Sequence, residues 1–383
     1  MRVLICGGGV IGASIAYFLS CRGARPIVIE RAALACAASG KSGGFLALDW
    51  CDGTPLESLA RRSFALHARL AEQIGDDWGY RRLTTYSGSA GPRKVHGHVR
   101  PHEPEWLSDT VALDRRLGSP QTTAQVHPAQ FTAAVMRAAI AQGAELRFGN
   151  VAGVVRDESG ARAKGVEVAG AVLEGDAVVI AMGPWSTMAA QWLPLPPVYG
   201  LKGHSLVFDT GMRIPAEALF LEYQEASGAA HSPEVFPRAD GTTYVCAISS
   251  DSPLPPDPAD VAPDAGAIER LEAMCARLSP LLDRSRILAR QACYRPIIRD
   301  GLPAIGQVPG VAGAYVATGH SVWGILNAPA TGEAMAELIL DGAASTADIS
   351  SCNPDRFGSP ARWQVRITRG EMLAGNSSQW RTS

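Results

Sequence analysis

The chain has 383 residues, 46% of them apolar, and a formal net charge of −2. That length suits two packed units with a sizeable interior, and the near-neutral charge excludes a nucleic-acid-binding face or a basic membrane patch. No apolar run approaches the ~18 residues of a membrane span, the immediate first strand leaves no signal or transit peptide, and eight cysteines without a C-x-x-C pair predict free thiols in a reducing cytoplasm.

Val3, Leu4 and Ile5 form the short branched run of a buried parallel strand. Gly7, Gly9 and Gly12 then complete G-x-G-x-x-G, with Val10 and Ile11 between the last two, and the period turns helical through residue 19. Gly23 ends that helix, residues 26–29 make a second strand, and Glu30 and Arg31 follow. The glycines permit a tight turn and a close approach to a pyrophosphate at the positive helix N-terminus. Glu30, about twenty residues past the last glycine, is set to accept hydrogen bonds from an adenosine ribose. This stretch alone leaves NAD and FAD both open.

A small-residue loop follows, with Ser39, Gly40, Ser42, Gly43 and Gly44. It admits close backbone approach to a flat ligand and offers hydroxyl and amide donors to phosphate. Residues 56–74 have helical periodicity, with Thr54 as the expected N-cap and Pro55 in the first turn. A strand is expected at 80–87 and a loop at 88–104. His96, His98 and His102 lie in that loop without the cysteines or second histidine pair that a metal site uses.

Residues 126–141 read as a helix ended by Gly143, and short strands follow near 145–148, 151–156, 165–168 and 171–173. Val178, Val179 and Ile180 make a buried strand that turns at once into Met182, Gly183, Pro184 and Trp185. In an open α/β sheet a ligand lies at the carboxyl ends of the strands, so this turn should meet the dinucleotide. Residues 192–250 alternate like an antiparallel sheet, which is read as a substrate domain. A Pro-rich loop covers 252–263, and Asp264 is the expected cap of a helix through 278. A strand at 315–318 ends in Gly319 and His320. Gly324, Ile325 and Leu326 then open a helix whose free amides would face a ligand group that gains negative charge, and a helix is read over 331–340.

Taken together, the chain resembles the D-amino-acid oxidase, glycine oxidase and sarcosine oxidase family of FAD enzymes. The likeness rests on G-G-G-V-I-G with Glu30, A-S-G-K-S-G-G, A-M-G-P-W-S, and R-P-x3-D-G-x-P-x-I-G followed by G-H-S-x-W-G-I-L-x-A-P-A-T-G, and it runs from residue 1 to about 357. It implies FAD over NAD, and an α/β fold with an α+β insert. A Rossmann-like FAD-binding domain (1–85, 120–190 and 290–357) would interleave with an antiparallel-sheet substrate-binding domain (86–119 and 191–289), with a surface tail at 358–383.

By this resemblance the first glycines hold the pyrophosphate, Glu30 the ribose, and Ser39, Gly40 and Ser42 to Gly44 the phosphates and flavin edge. Gly183, Pro184 and Trp185 lie near the adenine half, and Gly324, Ile325 and Leu326 near the flavin pyrimidine. Arg295 falls where the family holds a substrate carboxylate, with Arg299 as second choice, and Cys293 falls where sarcosine oxidases attach flavin through a thioether. Glycine oxidases carry Arg and Asn where this chain has Val322 and Trp323, which points to a more apolar or aromatic site. His320 and Tyr223 are available pocket groups.

The implied reaction is oxidation of a small amine or amino acid by hydride transfer to flavin N5. It gives an imine, with oxygen as acceptor and hydrogen peroxide as product. A dehydrogenase passing electrons to a quinone or carrier, and a low-turnover flavin-containing scaffold, are the alternatives.

Overall fold

The computed structural model describes residues 1–75, 77–91 and 104–358. Strand Arg2–Cys6 lies inside a six-stranded sheet in the order Ala304–Gln307, Ala314–Thr318, Ala177–Ile180, Arg2–Cys6, Arg25–Glu30, Glu145–Phe148. Every pairing is parallel except that of Ala304–Gln307 with Ala314–Thr318. Covered on both faces, Val3, Leu4, Ile5 and Cys6 are all 0% exposed, which is why this strand reads as an unbroken apolar run.

One face packs against α1 (Val10–Cys21), α2 (Glu57–Ile74), α3 (Pro128–Ala141) and α5 (Gly324–Asp341). The other face packs against a three-stranded meander of Val151–Arg156, Ala163–Val168 and Ala171–Glu174. α1 and α5 sit backbone to backbone: a Cβ on Gly332 would lie 2.6 Å from the Ser14 carbonyl carbon.

A second, eight-stranded sheet runs Ile287–Ile298, Val198–Asp209, Thr242–Ser250, Glu234–Pro237, Glu217–Gln224, Thr84–Ala90, Val111–Gly118, with Ala230–His231 beside Glu217–Gln224. Helix α4 (Ala267–Leu278) covers one face through Leu271, Met274 and Leu278, packed on Leu206, Phe208 and Val245. The opposite face is left for a ligand. The sheet is antiparallel except where Glu217–Gln224 meets Thr84–Ala90 in parallel, because that partner arrives from a distant part of the chain. Strand Ile287–Ile298 pairs with Val198–Asp209 along its length, so the layer changes after Ile298 and not at 290 as expected.

Local chemistry moves several expected boundaries. Thr54 accepts from the Leu56 amide but does not cap α2, whose N-cap is Leu56. Asp264 does not cap α4 either. The N-cap is Gly266, and the Asp264 carboxylate instead meets Lys202 Nζ at 2.6 Å. The helices expected from Gly324 and over 331–340 are one continuous α5 containing Pro329. Proline has no N–H for the Ile325 carbonyl. His67 Nε2 replaces it, donating to Ile325 O at 2.9 Å and Leu326 O at 3.2 Å, while Ser63 Oγ takes the Ala330 N–H at 3.0 Å. Burial holds the His67 pKa down at about 4, so the ring is the neutral donor this repair needs.

Among the described residues no helix is long and apolar enough to cross a membrane, and no cluster of His, Cys, Asp and Glu is arranged to hold a metal. His96, His98, His102 and nearly all of the tail fall outside the described residues.

Candidate functional site

Between the two sheets lies a cavity of about 2320 Å³, more than twice the upper end of an ordinary small-ligand pocket. An extended dinucleotide together with a substrate would suit that volume. The carboxyl end of strand Arg2–Cys6 opens into it through Gly7, Gly9, Val10 and Ile11. Gly7 has φ +116, and a Cβ there would lie 2.4 Å from Ala181 O, so the turn demands glycine. α1, with Gly9 as its N-cap, has no side-chain cap from that residue and no acid in its first turn, so its positive end favours an anion. Ser39 Oγ takes the Val10 N–H at 2.9 Å. Glu30 and Arg31 also line the wall. The Glu30 carboxylate accepts from the Gly8 amide at 2.6 Å and the Ala32 amide at 2.9 Å, which orients it and leaves lone pairs for further donors.

The small-residue loop contributes Ser39, Ser42, Gly43 and Gly44. Ser42 Oγ is buried without a protein partner, as a hydroxyl awaiting a ligand would be. Arg238 ties this loop to the mixed sheet, donating to Ser42 O at 3.0 Å. Gly183 and Trp185 line the same cavity, with Trp185 Nε1 fixed on Pro255 O at 2.8 Å, and Arg31 is anchored by Asp257 at 2.8 Å. At the far side come His320, Gly324 and Ile325, where α5 also starts without a side-chain cap or an acid in its first turn. His320 is buried with Nε2 3.1 Å from Thr331 Oγ1, and burial holds its pKa down at about 3. It is therefore a neutral positioning group, unsuited to proton exchange near neutral pH.

Four residues expected at the cofactor, Gly12, Gly40, Gly319 and Leu326, do not themselves line the cavity. Gly12 and Gly40 carry the chain against the carbonyls of Gly7 and Ala35, and Gly319 lies against Ile298. Leu326 is 1% exposed within the helical core. These residues shape the cavity from behind.

The mixed sheet supplies the remaining wall. Arg295 and Cys293 project from its edge strand, and the Arg295 guanidinium crosses above Gly203, 3.5 Å from where a Cβ would be, to donate to Ser249 Oγ at 3.1 Å. Burial opposes the Arg295 charge, but Cys246, Glu234, Tyr244 and Cys293 outweigh it and hold the pKa above the usual arginine value. Glu234 comes from the other side and accepts from Cys246 Sγ at 3.4 Å. Burial pushes its carboxyl up, partly offset by Arg295. Arg299 is absent from this wall, whereas Tyr223 is on it.

Aromatic side chains complete the enclosure. Phe236 stacks on Phe45 at 5.4 Å and on Tyr244 at 6.2 Å, and Trp50 meets Phe220 at 4.9 Å and Trp323 at 6.3 Å. Trp323 was noted in the sequence. Period-two alternation along residues 217–250 is the signal that could point to Phe220, Glu234, Phe236, Tyr244 and Ser249, whereas nothing in the sequence marks Gly203, Phe45 or Trp50.

A glycine-turn strand, helix N-termini without acidic residues and a cavity of this size, joined to a mixed sheet, suit a bound dinucleotide. The chain belongs to the family of FAD dependent oxidoreductases, whose sequence profile matches residues 2–338. An oxidoreductase of Schizosaccharomyces pombe is 32% identical over 92% of this chain and 98% of its own. A glycine oxidase of Geobacillus kaustophilus is 28% identical over 88% and 92%. The crystal structure of glycine oxidase from Geobacillus kaustophilus superposes with a TM-score of 0.75 at 25% identity, covering 93% of this chain and 99% of that one. The cofactor of this enzyme is accordingly FAD.

Proposed function

We propose that the enzyme oxidises a small amine, specifically an amino acid, whose carboxylate is held by Arg295. The observation that carries this reading is the Arg295 guanidinium, charged and facing the cavity, with Ser249 its hydrogen-bond partner among the described residues. A planar fork in that position offers two charge-assisted bonds to a carboxylate. Bound FAD supplies the hydride acceptor for the carbon–hydrogen bond beside the amine.

The chain's own residues do the rest. Gly7, Gly9, Val10 and Ile11 hold the pyrophosphate, Glu30 the ribose, and Ser42 to Gly44 the flavin edge. The start of α5 at Gly324 favours negative charge on the pyrimidine side. Trp50, Phe220, Phe236 and Trp323 exclude water, and Arg295 fixes the substrate's orientation, which supplies much of the rate. In this reading the parallel sheet serves the cofactor and the mixed sheet the substrate. Glycine oxidase among the similar proteins supports the amino-acid class.

Oxygen is the proposed acceptor and hydrogen peroxide the product, with a quinone or carrier as the alternative. The free cysteines suit a reducing cytoplasm. Incubation in air with D-amino acids, glycine, sarcosine and cyclic imino acids should yield peroxide and the matching oxo acid from at least one. Turnover only with an added artificial acceptor would assign a dehydrogenase, and no turnover with either would contradict an enzyme of this class.

Cys293 remains a free thiol in this proposal. Burial pushes its thiol up, with Arg295 and Lys41 pulling part of the way back, so little of the nucleophilic thiolate forms. Acid precipitation should therefore release the yellow colour into the supernatant. Colour that stays with the pellet in the native protein and is released in Cys293→Ser would show a thioether.

A further inference from the structure

Arg295 and Glu234 approach one strand, Thr242–Ser250, from opposite sides. Arg295 starts two strands away and reaches Ser249 because Gly203, directly between, has no side chain to block it. Glu234 starts on the neighbouring strand, opposite Cys246 in register, and its carboxylate is set by the Cys246 thiol. Both line the cavity, and among the described residues no ion pair joins them. Among the described residues the Cys246 thiol is the hydrogen-bond donor to this carboxylate, and Arg295, whose charge offsets its burial in part, makes no direct ion pair with it, so the burial is incompletely compensated. A cation entering the cavity would supply that compensation.

We infer that Glu234 receives the positively charged amine of the substrate, and accepts the proton that this amine must lose before hydride transfer, so that the cavity selects a zwitterion spanning Arg295 and Glu234 over a simple carboxylate. This rests on the assignment of the substrate carboxylate to Arg295. Glu234 is then a specificity-determining residue. It repels ligands that bring only a negative charge, and it attracts those whose amine lies beside the carboxylate. The nearby rings of Phe236 and Tyr244 add a face that also favours a cation.

The test is calorimetric titration of the FAD-loaded enzyme with 2-aminoisobutyrate and with pivalate, its isostere carrying a methyl in place of the ammonium. Neither has a hydrogen on the α carbon, so neither is oxidised and binding alone is read. The native enzyme should bind 2-aminoisobutyrate more tightly than pivalate. Glu234→Gln should weaken 2-aminoisobutyrate by about tenfold or more, as expected for one lost charge-assisted contact, while pivalate binds equally or more tightly. Glu234→Asp, which keeps the charge, should keep the native preference and covers the case in which the glutamine variant does not fold.

An unchanged ratio in Glu234→Gln, equal loss of both ligands, or a native enzyme that prefers pivalate would overturn the role of Glu234 alone. Arg295→Leu separates the two assignments, because it should abolish binding of both ligands whatever Glu234 does. Undiminished pivalate binding in that variant, or no binding of either ligand to the native enzyme, overturns the Arg295 assignment and this inference with it.

Discussion

Replacing Arg295 with leucine should lower kcat/KM for the best amino-acid substrate by about a thousandfold while FAD stays bound. Leucine removes both charge-assisted bonds to the carboxylate and leaves that anion facing Glu234 in an aromatic enclosure. Truncating one member of a buried charge pair costs roughly 2–5 kcal/mol, and each ~1.4 kcal/mol is a factor of ten. The loss should appear in both constants, because Arg295 also sets the direction of the reacting bond. Lysine should recover only part of it, since an ammonium lacks the planar fork. Arg295 belongs to the mixed sheet and not to the dinucleotide cradle, so the variant's flavin content should match that of the native enzyme. Steady-state kinetics on protein of measured flavin content gives the result.

The largest effect on stability should come from Asp264→Asn. Asp264 accepts from Lys202 Nζ at 2.6 Å and Ser252 Oγ at 2.8 Å, and its amide donates to His204 Nε2 at 3.0 Å. Lys202 is itself almost wholly buried, with its side chain 9% exposed. Asparagine would leave that ammonium unpaired, at a cost of about 3 kcal/mol. Lys202 precedes Gly203, over which Arg295 passes, so the same change should also loosen the substrate wall.

Burial raises the Asp264 pKa, but the bonds from Lys202, Ser250 and Ser252 and the Lys202 charge outweigh it, leaving the carboxyl well below its ordinary value of 3.8. A depressed folded-state value means that the stabilisation is fully present above the unfolded carboxyl's pKa and is lost as pH falls below it. Native stability should therefore fall as the pH drops below about 4, and that portion of the fall should be missing in Asp264→Asn. Urea unfolding midpoints across this range, with Asp264→Glu as control, measure both.

The cofactor side of the site was readable in the chain because its parts are local. G-x-G-x-x-G, the loop at 39–44 and the turn after Ile180 each place small residues at a strand end, and sequence order carries that arrangement. Gly12, Gly40, Gly319 and Leu326 show the limit of this reading. A glycine motif marks where backbone must come close, without saying whether to ligand or to protein. The substrate side was largely hidden, since it depends on strand register. Glu234, Ser249 and Gly203 converge with Arg295 only after pairing across four strands, and a bulge between Gly203 and Ser205 shifts that register. Likewise Asp264 has the sequence position of a helix cap, yet a buried lysine sixty-two residues earlier in the chain is a stronger partner than an exposed helix end.

In the proposed reaction an amino acid anchored by Arg295 delivers its electrons to FAD in this cavity. Anaerobic mixing of the native enzyme and Arg295→Leu with the amino-acid panel, followed by flavin absorbance, is the decisive experiment. At least one amino acid should bleach the native flavin within the dead time of ordinary mixing or shortly after. Arg295→Leu, equally yellow at the start, should bleach about a thousandfold more slowly at the same subsaturating substrate concentration. A native flavin that no amino acid reduces, or two proteins that bleach at the same rate, would contradict it.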